Sequence, residues 1–344
     1  MHVAVTRIVS LAGRASRSWT PFFLLLGMVA ATASAADPAA GPAAGPTKTE
    51  RLPPGRLELK TGDRLDLVAW HYPLRQGTTP VATVILIHDL GGSHETVEPL
   101  AVGLQDANCT VVVPDLRGHG ESVTPEMERA AGSRLPSELL KKPDFLAMVA
   151  TGGGRIRNQA GLRGDIEAVR KWIVENPSKG VSLDRLYVVG SGLGAALAAY
   201  WTNADAAWPP ITSGPQGGDV KGLVLVEPAP ATKGFQIRQA LDQEPAKTKL
   251  PIMIVAGPNN READKVCDQL KKSRPDDWFD SRLLSRSPAK QGDATLIYAE
   301  VPARDRRGAN LAGDAFASFR AENGRGDPAF LITAFIKATS AQNP

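Results

Sequence analysis

The strongest chemical signal in this 344-residue chain is the run Val189-Gly190-Ser191-Gly192-Leu193-Gly194-Ala195. A short apolar stretch, residues 186–189, leads into it, and a helical stretch, 195–201, leaves it. Glycines at such a junction let the backbone turn sharply and expose one residue beside a helix N-terminus, where free amides favour negative charge. A nucleophile placed there also needs a base, and an acid behind the base. The run holds one hydroxyl, Ser191, and beside it Gly192, which has no side chain, and adjacent side chains at such a turn diverge.

Two more polar turns follow apolar runs. Ile87-His88-Asp89-Leu90-Gly91-Gly92-Ser93 comes after residues 81–87, and Asp115-Leu116-Arg117-Gly118-His119-Gly120-Glu121-Ser122 comes after 110–113. Histidine is the usual base at neutral pH. The five histidines are His2, His71, His88, His94 and His119, and none lies beyond His119. His88 and His119 read as hydrogen-bonded turn residues rather than bases, and a serine without a base is a poor nucleophile.

In this order, each behind a strand, the three runs resemble the α/β-hydrolase superfamily, particularly its lysophospholipase and serine-aminopeptidase-like members. The first is similar to the HGxGG-type loop that gives one backbone N–H to the oxyanion hole. Asp89 stands where glycine is usual, and Leu90 would carry that N–H. The second is similar, almost throughout, to D-x-R-G-H-G-x-S. The third is similar to the nucleophile elbow G-x-S-x-G, with Gly190 and Gly194 as its flanking glycines. The nucleophile position then falls on Gly192, and Leu193 supplies the other oxyanion-hole N–H.

The resemblance implies the chain order Ser, acid, His. The acid position falls on Asn260 in Val255-Ala256-Gly257-Pro258-Asn259-Asn260. The His position falls on Arg307 in Arg307-Gly308-Ala309-Asn310-Leu311. Gly192, Asn260 and Arg307 are therefore vestigial catalytic positions. A rearranged site would draw on Ser191, Asp264 and Glu227, with His119 as the available base. The expectation is a non-catalytic homologue that binds a small molecule or a protein. The alternative is an active esterase-, lipase- or peptidase-like serine hydrolase using Ser191, and a third reading is a protein–protein scaffold. The Leu90 and Leu193 amides would favour an anion, such as a carboxylate, even without a serine.

The elements that must position these residues are legible as alternating patterns. Residues 56–60, 65–71, 81–87, 110–113, 186–189, 220–226, 250–256 and 295–301 read as eight strands. Residues 95–108, 165–176, 195–201, 262–272 and 328–338 read as helices. Near-continuous apolar strands alternating with amphipathic helices imply an α/β fold, a mostly parallel sheet with helices on both faces. The resemblance implies the eight-stranded α/β-hydrolase sheet, with the site at the strands' C-terminal edge. The domain would run over 55–340. An insertion at about 123–162 fits no element and reads as a lid or a surface excursion.

Hydrophobic residues make up 42% of the chain and charged ones 22%, an ordinary globular balance. The formal charge is +4, but Arg7, Arg14 and Arg17 precede the first acid, Asp37, and without them it is +1. That gives no electrostatic reason to expect nucleic acid. Residues 1–35 read as a secretory signal peptide: a basic start, a short apolar run at 22–33, and Ala33-Ser34-Ala35 as cleavage site. The chain is therefore expected in the periplasm or outside the cell, with no membrane span after cleavage. Residues 36–54 read as an Ala/Gly/Pro-rich linker.

Cys109 and Cys267 are expected unpaired. No spacing suggests a metal site or a cofactor. Gly190, Gly192 and Ala195 brush against a dinucleotide fingerprint but lack its acid about 20 residues on. The acids at 276–280 lack the spacing of a calcium loop. Arg304-Asp305-Arg306-Arg307 reads as a solvated loop, and Arg325-Gly326-Asp327 as a chance tripeptide.

Overall fold

A computed structural model describes residues 51–340 except 76, 153–162, 209–211, 213–216, 284–285, 291–292, 305–309 and 322–325. The expected signal peptide, most of the expected linker, the end of the insertion and Arg307 lie outside the described residues. The strands are β1 (Gly55–Lys60), β2 (Asp66–Tyr72), β3 (Ala82–Ile87), β4 (Cys109–Pro114), β5 (Leu186–Ser191), β6 (Val220–Val226), β7 (Ala231–Thr232), β8 (Phe235–Gln236), β9 (Ile252–Ala256), β10 (Trp278–Asp280) and β11 (Leu296–Glu300). The helices are α1 (His94–Asp106), α2 (Pro125–Ala131), α3 (Pro136–Leu139), α4 (Lys142–Met148), α5 (Asp165–Glu175), α6 (Leu193–Ala206), α7 (Arg238–Leu241), α8 (Arg261–Ser273), α9 (Gly313–Ala317) and α10 (Pro328–Ser340).

One sheet runs in the order β1-β2-β4-β3-β5-β6-β9-β11-β10. β2 is antiparallel to both its neighbours, and every pairing from β4 to β10 is parallel. The central strands are buried on both faces: ATVILI of β3, LYVVGS of β5 and IMIVA of β9 are buried at every position. Their side chains alternate between two cores. Ile85, Val188 and Leu223 face the core shared with α5, α6 and α8. Val84, Val189 and Val224 face the one shared with α1 and α10. Alternation of this kind needs apolar residues at successive positions, hence the unbroken hydrophobic runs.

The sheet has nine strands, not the eight expected. The extra one, β10, adds three residues at the edge beside β11. It is easily missed because it carries an acid, but Asp280 is fully buried there against Lys271 at 2.9 Å and Arg282 at 2.8 Å. Asp280, with Asp277 accepting from Thr295 N–H at 2.8 Å, thus serves the edge of the sheet. Cys109 and Cys267 are buried and unpaired. Among the described residues, no helix is long and apolar enough to cross a membrane.

The described part of the insertion, up to residue 152, forms α2, α3 and α4 and is tied down rather than free. Phe145 and Met148 of α4 enter the core, and the Phe145 ring packs on Phe235 of β8 at 5.7 Å. The Lys233 ammonium, between β7 and β8, donates to the carbonyls of Ser137 at 3.2 Å and Glu138 at 2.7 Å at the end of α3.

Candidate functional site

β5 ends in the tight turn read from its glycines. Gly194 of α6 lies so close to β3 that a Cβ there would meet the carbonyl oxygens of Ile87 and His88 at 2.5 Å. Gly192 has φ 53° and ψ −115°, a conformation that disfavours any side chain. α6 starts at the next residue, so its first amides face the turn.

The two amides expected to form an oxyanion hole do converge, and on an oxygen of the chain itself. Leu90 N–H and Leu193 N–H each donate to Asp89 Oδ1 at 2.7 Å. Asp89 therefore caps α6 from the loop after the neighbouring strand β3 and occupies the anion-favouring spot. Its carboxylate also fills the space beside Gly192: a Cβ there would lie 2.1 Å from Asp89 Cγ. Burial pushes the Asp89 carboxyl above its ordinary range, while the two amides pull the other way.

The loop after β11 delivers a second acid to this spot. Asp314, near the start of α9, accepts from Asp89 N–H through Oδ1 at 2.8 Å. Its Oδ2 lies 2.7 Å from the Thr96 hydroxyl, which is also 2.7 Å from the Ser93 carbonyl. Burial pushes the Asp314 carboxyl upward, while the Thr96 hydroxyl and the Asp89 amide pull the other way. Gly313 precedes it with φ 55°, and a Cβ there would lie 2.5 Å from Asp89 Oδ2. Sequence reasoning missed Asp314 and looked to Arg307 instead. The available signal was position: Asp314 opens a short helix after the last strand, within reach of the elbow.

Ser191 is fully buried, and its hydroxyl lies near the Asp314 carboxyl without completing a well-formed hydrogen bond to any group. The other candidates have structural partners. Asn260 caps α8, accepting from Glu262 N–H at 3.1 Å and Ala263 N–H at 3.0 Å. Its amide donates to Glu227, which also accepts from Gly257 N–H. Burial raises the Glu227 carboxyl, and φ at Glu227 is 48°. Asp264 is paired with Arg282 at 2.6 Å.

The histidines are held in turns. His88 Nε2 accepts from Leu116 N–H at 3.1 Å, so its Nδ1 carries the proton and donates to Asp89 O at 2.7 Å. His88 is fully buried, and burial lowers its pKa. The His119 ring packs against it at a tilt of 54°, with ring centroids 4.9 Å apart. Burial lowers His119 to about 4, and its Nδ1 points at Arg117 O.

The second motif is structural throughout. Asp115 accepts from His94 N–H at 2.6 Å and Glu121 N–H at 2.9 Å, and the Ser122 hydroxyl accepts from Val68 N–H at 2.8 Å. Arg117 bridges Asp165 and Asp63 at 2.6 and 2.7 Å. His94, Asp115 and Glu121 lie within reach of one cation. However, Asp115 is already occupied by these donors and by His94 Nδ1 at 2.9 Å, and Glu121 pairs with Arg56 at 2.7 Å. The group fits a turn lock better than a metal centre.

A doubly wound, mostly parallel sheet with an elbow between β5 and α6 defines an α/β-hydrolase fold. A family model described as the alpha/beta hydrolase family matches residues 84–338, and the chain belongs to that family. An esterase from Pyrococcus furiosus is similar in structure, with a TM-score of 0.50 at 13% identity, over 83% of this chain and 90% of the esterase. Fungal esterases from Rhizomucor miehei match at a TM-score of 0.49 and 15% identity, over 86% and 87%. A dienelactone hydrolase from Anabaena variabilis matches at 0.48 and 15%, over 82% and 96%. At this identity the likeness concerns the fold. No curated protein matches the chain.

Proposed function

We propose that this chain is an exported, non-catalytic member of the family that acts by binding a ligand or a partner. One observation carries the reading: Asp89 Oδ1 takes both amides that an acyl-transfer enzyme keeps free for the substrate's oxyanion. A carbonyl oxygen cannot enter that space while Asp89 is there. Gly192 offers no nucleophile, Asn260 is committed to a helix cap, and no histidine follows His119. Export rests on the signal-like residues 1–35.

The filled hole also sets the sign of what can bind nearby. Asp89, with Asp314 and Glu227 close to the elbow, disfavours a carboxylate or phosphate. An anion at this spot, which the free amides alone would favour, competes with the chain's own.

The rearranged-hydrolase reading has Ser191 as its nucleophile. The burial of Ser191 and the orientation of its hydroxyl toward a carboxyl rather than an imidazole weigh against it. Turnover of short- and medium-chain p-nitrophenyl esters by the purified protein and by Ser191→Ala tests the choice. The expected result is background hydrolysis by both. Turnover well above buffer that Ser191→Ala abolishes would favour the rearranged enzyme.

A further inference from the structure

The helix that begins at the elbow ends in a polar seam where acids outnumber bases. Asp205, in the last turn of α6, is 1% exposed, and Glu167 of α5 is 3% exposed. Arg170 of α5 lies between them, 3.5 Å from Glu167 and 3.7 Å from Asp205. It also donates to Asp219, in the segment leading into β6, at 2.8 Å. Three carboxyls therefore share one guanidinium. Arg163, before α5, adds a second cation on the Glu167 side. Of the other charged residues of α5, Lys171 and Glu175 pair with each other on its exposed face, and Asp165 pairs with Arg117.

The hydrogen bonds of the seam are incomplete in a way that a proton would mend. Among the described residues, Glu167 Oε2 and Asp205 Oδ1 are buried without a well-formed hydrogen bond, and Trp201 Nε1, which lies beside Glu167, completes none either. A buried carboxylate oxygen without a donor is costly, whereas a protonated carboxyl supplies its own donor and removes a charge.

We propose that the α5–α6 seam holds one exchangeable proton shared by Glu167 and Asp205, and that its loss loosens the docking of the last turn of α6 on α5. The charge count and the orphaned oxygens carry the inference. The direction of titration agrees with it: burial raises Glu167 to about 7 and Asp205 to about 6.

The sign follows from linkage. An acid whose pKa is higher folded than unfolded binds its proton more tightly when folded, so stability is lost as pH rises through the folded value. Buried His71, His88 and His119 work in the opposite sense, because burial lowers each, His71 and His119 to about 4. Their effect fades within about one unit above the ordinary histidine value, and over the range from about pH 6.5 to 8.5 it is common to parent and variants. Asp89, Asp314 and Glu227 are raised too. The seam must therefore be isolated by difference.

Thermal melting of the full chain and of Glu167→Gln across that range provides the difference, with Asp205→Asn as a second variant. The expected result is that Tm of the parent falls with rising pH, and that Glu167→Gln gains on it most at the alkaline end. Carbon-13 NMR of glutamate-labelled protein gives a folded-state reading. One carboxyl signal, absent from Glu167→Gln, should titrate well above the ordinary glutamate range. Parallel melting curves for parent and both variants, or a Glu167 signal that titrates near the ordinary value, would overturn the proposal.

Discussion

A Cβ on Gly192 and the carboxylate of Asp89 claim the same space: their atoms would come within 2.1 Å. The glycine at the elbow and the aspartate in the facing loop are thus sterically coupled. Restoring a side chain at Gly192 alone should be destabilising twice over, by this clash and by the positive φ. The backbone effect is worth roughly 1–3 kcal/mol. Gly192→Ser combined with Asp89→Gly removes the clash, and the two changes should couple by about 0.5–3 kcal/mol. Urea unfolding of the two single variants and the double variant measures the coupling. Additive effects would mean that the two residues do not compete for space.

Asp89 also has a structural task as the cap of α6. Asp89→Ala leaves the Leu90 and Leu193 amides without their acceptor and should cost about 1–3 kcal/mol. Asp89→Asn keeps an oxygen in place and should recover most of that loss. Equal losses for Ala and Asn would show that the charge, rather than the acceptor, holds the turn.

Arg117 joins the second motif loop to α5 through Asp165 and to the turn after β1 through Asp63. Burial opposes its charge, but the two carboxylates outweigh burial and raise its pKa. Arg117→Ala strands the fully buried Asp165 and should cost about 3–5 kcal/mol. Arg117→Lys should rescue little, since an ammonium cannot reproduce the forked contacts. Chemical denaturation distinguishes these outcomes.

Acid stability should report on the edge strand β10. Burial favours the neutral form of Asp280, but Arg282 and Lys271 outweigh it and hold the carboxyl at about 2. A lowered folded pKa gives stability that is full above the ordinary aspartate value and is lost as pH falls toward about 2. Asp280→Asn should be less stable than the parent at neutral pH, and the gap should narrow between about pH 4 and 2. Melting curves over that range measure it.

Most of the sheet was legible because each central strand has to be apolar on both faces, as in ATVILI of β3. The short edge strand Trp278–Asp280 was not, because it buries an acid, held by Lys271 of α8 and Arg282 just beyond the strand, where an apolar pattern would be looked for. The elbow was legible from its glycines for a similar reason: Gly194 touches the β3 backbone, and Gly192 needs a positive φ. The role of Asp89 was not legible. It appears in sequence as a departure from glycine in one loop, and only the fold shows that it answers the missing side chain in another. Asp314 was hidden likewise, because nothing local marks it as a partner of Asp89, 225 positions earlier.

The central claim is that the elbow holds no activated serine. Reaction of the native protein with a fluorophosphonate probe, read by intact mass and peptide mapping beside a heat-denatured control, tests it most directly. The account predicts no fold-dependent adduct at Ser191 or any other serine. An adduct on Ser191 that forms in the native protein and disappears on denaturation would contradict it.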